Sequence, residues 1–237
     1  MLGHESTPLG VNAAGHIASV CTIPIGINAQ HIDVLRNSPG VIAKVESIRE
    51  TYKGKKIIVG RDKLDVTKGV VQKLSAFQKF LEMYPEWRDK VVLIQVTTPT
   101  HSNNSRLESK ISDQVSHINN TYGSFEFLPI HYYHQDVDPD QYYALLSVAD
   151  LALITSVRDG MNTTSLEYIM CQQERKSPLI LSEFTGMAGS LSAAMMVNPW
   201  NFAGVAKAID TALSMPLEDK ITRHTVSTRS LFPLCQI

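Results

Sequence analysis

The chain has 237 residues, 43% of them hydrophobic, and a formal net charge of −1, which allows a sizeable core in one large domain or two small ones. Lys and Arg are spread rather than clustered, which excludes an electrostatic footprint for nucleic acid or anionic membrane, and no apolar run forms a leader or a membrane span, so a cytoplasmic protein is expected. Cys21, Cys171 and Cys235 are too far apart for a disulfide framework or a zinc site, and neither metal nor cofactor is expected.

Residues 1–15 are rich in Gly, Pro, His and Ser without a period and read as a poorly ordered lead-in. A strand is expected over 17–25 and a helix over 41–52. Alternation then becomes regular: a strand at 56–60, a helix at 69–83 with Val70, Leu74, Phe77, Phe80 and Leu81 on one face, and a strand at 91–96. A helix over 106–122 carries Leu107, Ile111, Val115 and Ile118 on one face, a strand follows at 125–130, and Asp138 with Pro139 opens the next helix as N-cap and first residue. Leu151 to Thr155 reads as a fully buried parallel strand, with Asn162 to Thr164 offering N-caps for the helix after it. Strands at 178–182 and 195–197 and a helix at 202–215 close the pattern, and 222–237 form a tail without apolar periodicity. Such βαβ alternation, with strands too apolar to face water, predicts a doubly wound parallel α/β sheet in a single domain over 16–221.

Two loops carry the chemistry. After the strand at 151 come Arg158, Asp159 and Gly160, then the start of a helix, and this places free N–H groups and a sugar-accepting carboxylate beyond the carboxyl end of the sheet. Glu167 falls one helical turn further in. The stretch 60–69, Gly-Arg-Asp-Lys-Leu-Asp-Val-Thr-Lys-Gly, places cations at Arg61, Lys63 and Lys68, of which Lys63 and Lys68 are the candidates for stabilising a departing diphosphate without a metal. The competing readings are a surface βα loop with an Arg–Asp pair and a solvated basic loop. Asp136-Val-Asp138 is read as an N-cap rather than a phosphatase nucleophile, because His and Tyr residues precede it and Pro139 follows. His131 and His134 are read as loop or half-buried histidines rather than metal ligands.

The segment 60–69, the block from Tyr84 through Val96, Arg158-Asp-Gly-Met-Asn162, the run from Leu179 to Gly186 and Val197-Asn-Pro-Trp-Asn201 together resemble the trehalose-6-phosphate synthase family. Within it the chain is most similar to the synthase-like amino-terminal domain of fungal trehalose-6-phosphate phosphatases, since Thr163 and Thr164 stand where synthases carry Leu-Val. The resemblance implies the carboxyl-terminal Rossmann half of a two-domain GT-B glycosyltransferase, with UDP-glucose as donor and glucose-6-phosphate as acceptor. By resemblance, Lys63 and Lys68 face the donor phosphates, Asp159 with the backbone of Gly160, Met161 and Asn162 faces the glucose, and Glu167 faces the ribose. Synthases have Arg at the position of Lys63 and an acceptor-phosphate Arg at that of His101. These departures imply an inactive, regulatory or structural domain with a vestigial UDP-glucose site. Its expected partners are UDP or UDP-glucose and other subunits of a trehalose synthase/phosphatase complex, the alternative being a working transferase.

Overall fold

The computed structural model describes residues 5–7, 10–13, 15–19, 25–99 and 104–231. Its body is a six-stranded, wholly parallel sheet built from β4 (Lys56–Lys63), β5 (Val91–Thr98), β6 (Ile130–His134), β7 (Leu151–Ile154), β8 (Leu179–Ser182) and β9 (Met195–Val197). The spatial order is β6-β5-β4-β7-β8-β9. The chain therefore winds outward from β4 to one edge, returns to β7 beside β4, and winds to the other edge. The connections leaving β4 and β7 diverge to opposite sides and open a crevice between them, as happens wherever strand order reverses in such sheets.

Strand alternation explains the two cores. Ile58, Leu93, Leu151, Leu153 and Ile180 point to one face, where α3 (Val70–Met83), α4 (Ser105–Tyr122) and α7 (Phe202–Leu213) cover them. Ile57, Val59, Val92, Ile94, Ala152 and Ile154 point to the other, under α1 (Ala29–Arg36), α2 (Pro39–Thr51), α5 (Pro139–Val148), α6 (Thr163–Cys171) and α8 (Leu217–Leu231). Side chains two apart share a face, and every residue of β7 is buried because both faces are covered. Among the described residues no helix is long and apolar enough to cross a membrane.

Several elements differ from the sequence reading. Part of the lead-in folds: β1 (Glu5–Thr7), β2 (Gly10–Ala13) and β3 (His16–Ala18) form an antiparallel meander. Gly10 and Gly15, at φ of 147° and 85°, supply turn conformations that other residues reach at a cost. The strand expected over 17–25 shrinks to β3, and residues 20–24 lie outside the described ones. Helix α1 was not anticipated; Asn28 caps it by accepting from the His31 N–H at 2.9 Å. The strand expected at 125–130 lies at Ile130–His134 instead. Phe125 is fully exposed, residues 124–127 close a turn through Ser124 N–H to Phe127 O at 2.8 Å, and Pro129 lacks the N–H an interior strand position needs. The Asn119 side chain then holds the backbone of Ile130 at 2.9 and 3.0 Å.

The tail is also more ordered than its composition indicates, because α8 runs to Leu231 and buries His224, Ser227 and Leu231. Burial, reinforced by the Lys176 ammonium, pushes the His224 imidazole down to about 4. Its unfolded value is 6.5, so the unfolded chain takes up the proton first, and stability falls as pH drops from 6.5 towards 4. The loss should be on the order of 2 kcal/mol once solvent screening is allowed for. Urea unfolding at pH 7.5 and pH 5 should register it, and a His224→Gln variant should show a smaller difference between the two.

Candidate functional site

The site is assembled by two loops that dock backbone to backbone at the divergence of β4 and β7. Beyond β4 the chain turns through Val66–Lys68, a 3-10 turn capped by Asp65, whose Oδ1 accepts from Thr67 N and Thr67 Oγ1, both at 2.7 Å. The Thr67 hydrogen bonds hold the Asp65 carboxyl below the usual carboxylate range. Thr67 O in turn accepts from Val157 N at 2.8 Å and Arg158 N at 3.3 Å. Thr155 Oγ1 donates to Gly69 O at 2.9 Å. Gly69 sits at φ 69°, and a Cβ there would lie 1.9 Å from Thr155 O; the junction excludes any side chain.

The second loop holds Asp159 in place from both sides of its peptide. Its N–H donates to Phe184 O at 3.2 Å and its carbonyl accepts from Gly186 N at 2.9 Å. An added Cβ on Gly186 would stand 1.9 Å from Gly160 O, whereas one on Gly160 would meet nothing, so the glycine this contact requires is Gly186. The Asp159 Oδ2 is met by Lys68 Nζ at 2.9 Å, Asn162 Nδ2 at 3.1 Å and Ser156 Oγ at 3.4 Å. Asn162 also caps α6, accepting from Ser165 N at 2.9 Å. That leaves the N–H groups of Thr163 and Thr164 without helical partners, facing a positive helix end towards the crevice.

The resulting cavity has a volume of about 230 Å³ and is lined by Arg61, Asp62, Lys63, Lys68, Asp159 and the start of α6 from Met161 to Thr164. Of the residues singled out from the sequence, Lys63, Lys68, Asp159, Met161 and Asn162 line it together, with Gly160 alongside. Glu167 lies one turn inward, where its Oε2 accepts from the Tyr142 hydroxyl. Burial and then the Glu167 charge drive the Tyr142 phenol well above its ordinary value, which keeps it a donor. His101 lies outside the described residues.

The sequence reading missed Asp62 and the helix-start threonines as wall residues, missed Tyr142 as the partner of Glu167, and did not single out Arg61. It ended β4 at Gly60 and treated 61–69 as one loop. The strand in fact pairs with β5 through Lys63, so its two-residue period still governs residues 60–63. Asp138 stands before Pro139 at the start of α5 but spends its carboxylate on Lys44. His131 packs edge-on against Tyr52 at 5.4 Å and His134 Nδ1 lies 2.7 Å from Glu108 Oε1.

A doubly wound sheet with a cationic, helix-capped crevice at the reversal of strand order defines an α/β domain of the Rossmann-like kind. The chain belongs to glycosyltransferase family 20, whose model matches residues 1–231. It is 48% identical over 220 residues to the trehalose-phosphatase of Saccharomyces cerevisiae, covering 89% of this chain and 25% of that protein. It is 43% identical over 219 residues to the 56 kDa subunit of the UDP-forming alpha,alpha-trehalose-phosphate synthase of the same yeast, covering 91% and 44%. The amino-terminal domain of Candida albicans trehalose-6-phosphate phosphatase superposes with a TM-score of 0.93 at 49% identity, covering 98% of this chain and 51% of that one. The chain is thus a synthase-like domain of this family, and it spans about half or less of the length of these relatives.

Proposed function

We propose that the crevice is a sugar-nucleotide site for UDP or UDP-glucose. We propose further that the domain serves regulation or assembly, in the cytoplasm, among the synthase and phosphatase subunits of a trehalose-forming complex, without catalysing glycosyl transfer itself. The observation that carries the site is the meeting of Lys68, the Asp159 carboxylate and the free N–H end of α6 within one small cavity. Asp159 occupies the Lys68 ammonium at 2.9 Å. A diphosphate competes for that ammonium and frees the carboxylate to accept from sugar hydroxyls, so the two halves of a sugar nucleotide are read by one exchange of partners. UDP formation by the yeast synthase relative supports the choice of nucleotide.

Calorimetry with UDP and UDP-glucose tests this reading. A charge-assisted hydrogen bond contributes about 1.5–3 kcal/mol, so Lys68→Ala should weaken UDP binding by roughly tenfold to a hundredfold. Glu167→Ala should weaken it as well, through loss of the carboxylate that holds Tyr142 one helical turn beyond the cavity. Unchanged affinity in both variants would place the ligand elsewhere.

A further inference from the structure

We propose that Arg61 is the two-pronged ligand of the nucleotide's diphosphate in this crevice, an assignment that rests on the sugar-nucleotide reading above. Three cations line the cavity, and they differ in what they can offer. Lys68 is engaged by Asp159 at 2.9 Å. Lys63 is exposed, a single ammonium on a flexible stem at the end of β4. Arg61 alone carries a planar fork able to meet two phosphate oxygens at once.

Its setting prepares that fork. Because β4 extends through Lys63, Arg61 and Lys63 project from the same face of the strand, with Arg61 one pleat nearer the sheet. There its guanidinium carbon stands 5.4 Å from the centre of the Tyr142 ring, close enough for cation–π attraction. The ring is itself fixed, since the Tyr142 hydroxyl is tied to Glu167. No carboxylate forms an ion pair with Arg61 among the described residues: Asp62 pairs with Lys73, Asp159 with Lys68, and Glu167 takes the Tyr142 hydroxyl. The guanidinium is therefore oriented by an aromatic face while its N–H donors stay available, which reduces the ordering cost of binding. The opposite face of the strand is closed to this role, because Asp62 is turned towards α3 and buried.

The test is calorimetric titration of the full chain and of Arg61→Lys and Arg61→Ala with UDP, UMP and uridine, with circular dichroism to confirm that each variant is folded. Arg61→Lys keeps the charge but loses the fork, and should lose at least about tenfold in affinity for UDP while leaving uridine unchanged, so that the preference for UDP over UMP collapses. Arg61→Ala should lose more. If the unmodified chain binds UDP and Arg61→Lys binds it equally well, the assignment is wrong while the sugar-nucleotide reading stands. An equal loss for UDP, UMP and uridine would also overturn it, by showing general damage to the cavity. Failure of the unmodified chain to bind UDP at all would remove the underlying reading and this assignment together.

Discussion

Incubated with UDP-glucose and glucose-6-phosphate, the 237-residue chain should form no trehalose 6-phosphate above a no-protein control, even where UDP-glucose binds. Transfer between two sugars needs both held in attacking geometry, and the gain from holding them amounts to roughly 7–11 kcal/mol of barrier. The crevice concentrates its polar groups in one place: Lys68, the accepting carboxylate of Asp159 and the start of α6 converge within a single cavity of about 230 Å³. At the position where the resemblance puts an acceptor-phosphate Arg, this sequence has His101, which lacks the guanidinium fork. Where the resemblance puts a leaving-group Arg, this sequence has Lys63, a point charge, so a fork in this crevice has to come from Arg61, and inactivity rests on the acceptor. Lys63→Arg combined with His101→Arg should leave the chain inert by itself, and should raise turnover only in a longer protein that also carries an amino-terminal Rossmann domain. The readout is enzymatic detection of trehalose 6-phosphate, and product from the unmodified chain would make the domain a working transferase.

How much of this was legible in the sequence depends on the length scale of the signal. The doubly wound sheet was readable because its central strands are buried on both faces, so short apolar runs such as Leu151–Ile154 alternate with longer helical periods. That Lys68, Asp159 and Asn162 line one crevice was readable because each stands at a strand-to-helix turn beyond the carboxyl end of the sheet. Other features turn on contacts distant in sequence. Tyr142 meets Glu167 only because α5 packs beside α6. The strand expected at 125–130 includes Phe125, which is exposed and pairs in no strand, whereas Asn119 fixes the true start at Ile130. In α8 the polar sequence hides a narrow inward stripe of His224, Ser227 and Leu231, spaced by three and four residues, which composition alone does not reveal.

Replacing Lys73 by Met should destabilise the domain by about 3–5 kcal/mol, the usual penalty for breaking a buried ion pair from one side. Lys73 lies on α3 beneath the crevice, and its ammonium meets Asp62 Oδ2 at 2.5 Å with the two side chains 0% and 1% exposed. Gln95 Nε2 donates to the same oxygen at 2.9 Å. The arrangement is already short of donors, since Asp62 Oδ1 and Gln95 Oε1 are buried without a hydrogen-bond partner. Gly60 packs directly against it: a Cβ there would fall 2.2 Å from Gln95 Oε1 and 2.6 Å from Lys73 Nζ, so backbone lies against the buried pair. Removal of Lys73 therefore strands a carboxylate in the interior, and against a total stability of roughly 5–15 kcal/mol the loss should be plain in urea unfolding. A second change separates charge from packing. Lys73→Met with Asp62→Asn removes both charges at similar volume, and should recover much of the stability, because a matched neutral pair avoids the desolvation that the ions impose. Loss in Lys73→Met with recovery in the double variant is the expected cycle. If Lys73→Met alone costs less than about 1 kcal/mol, or the double variant is no more stable than the single one, then the pair is not what holds this end of β4 against α3.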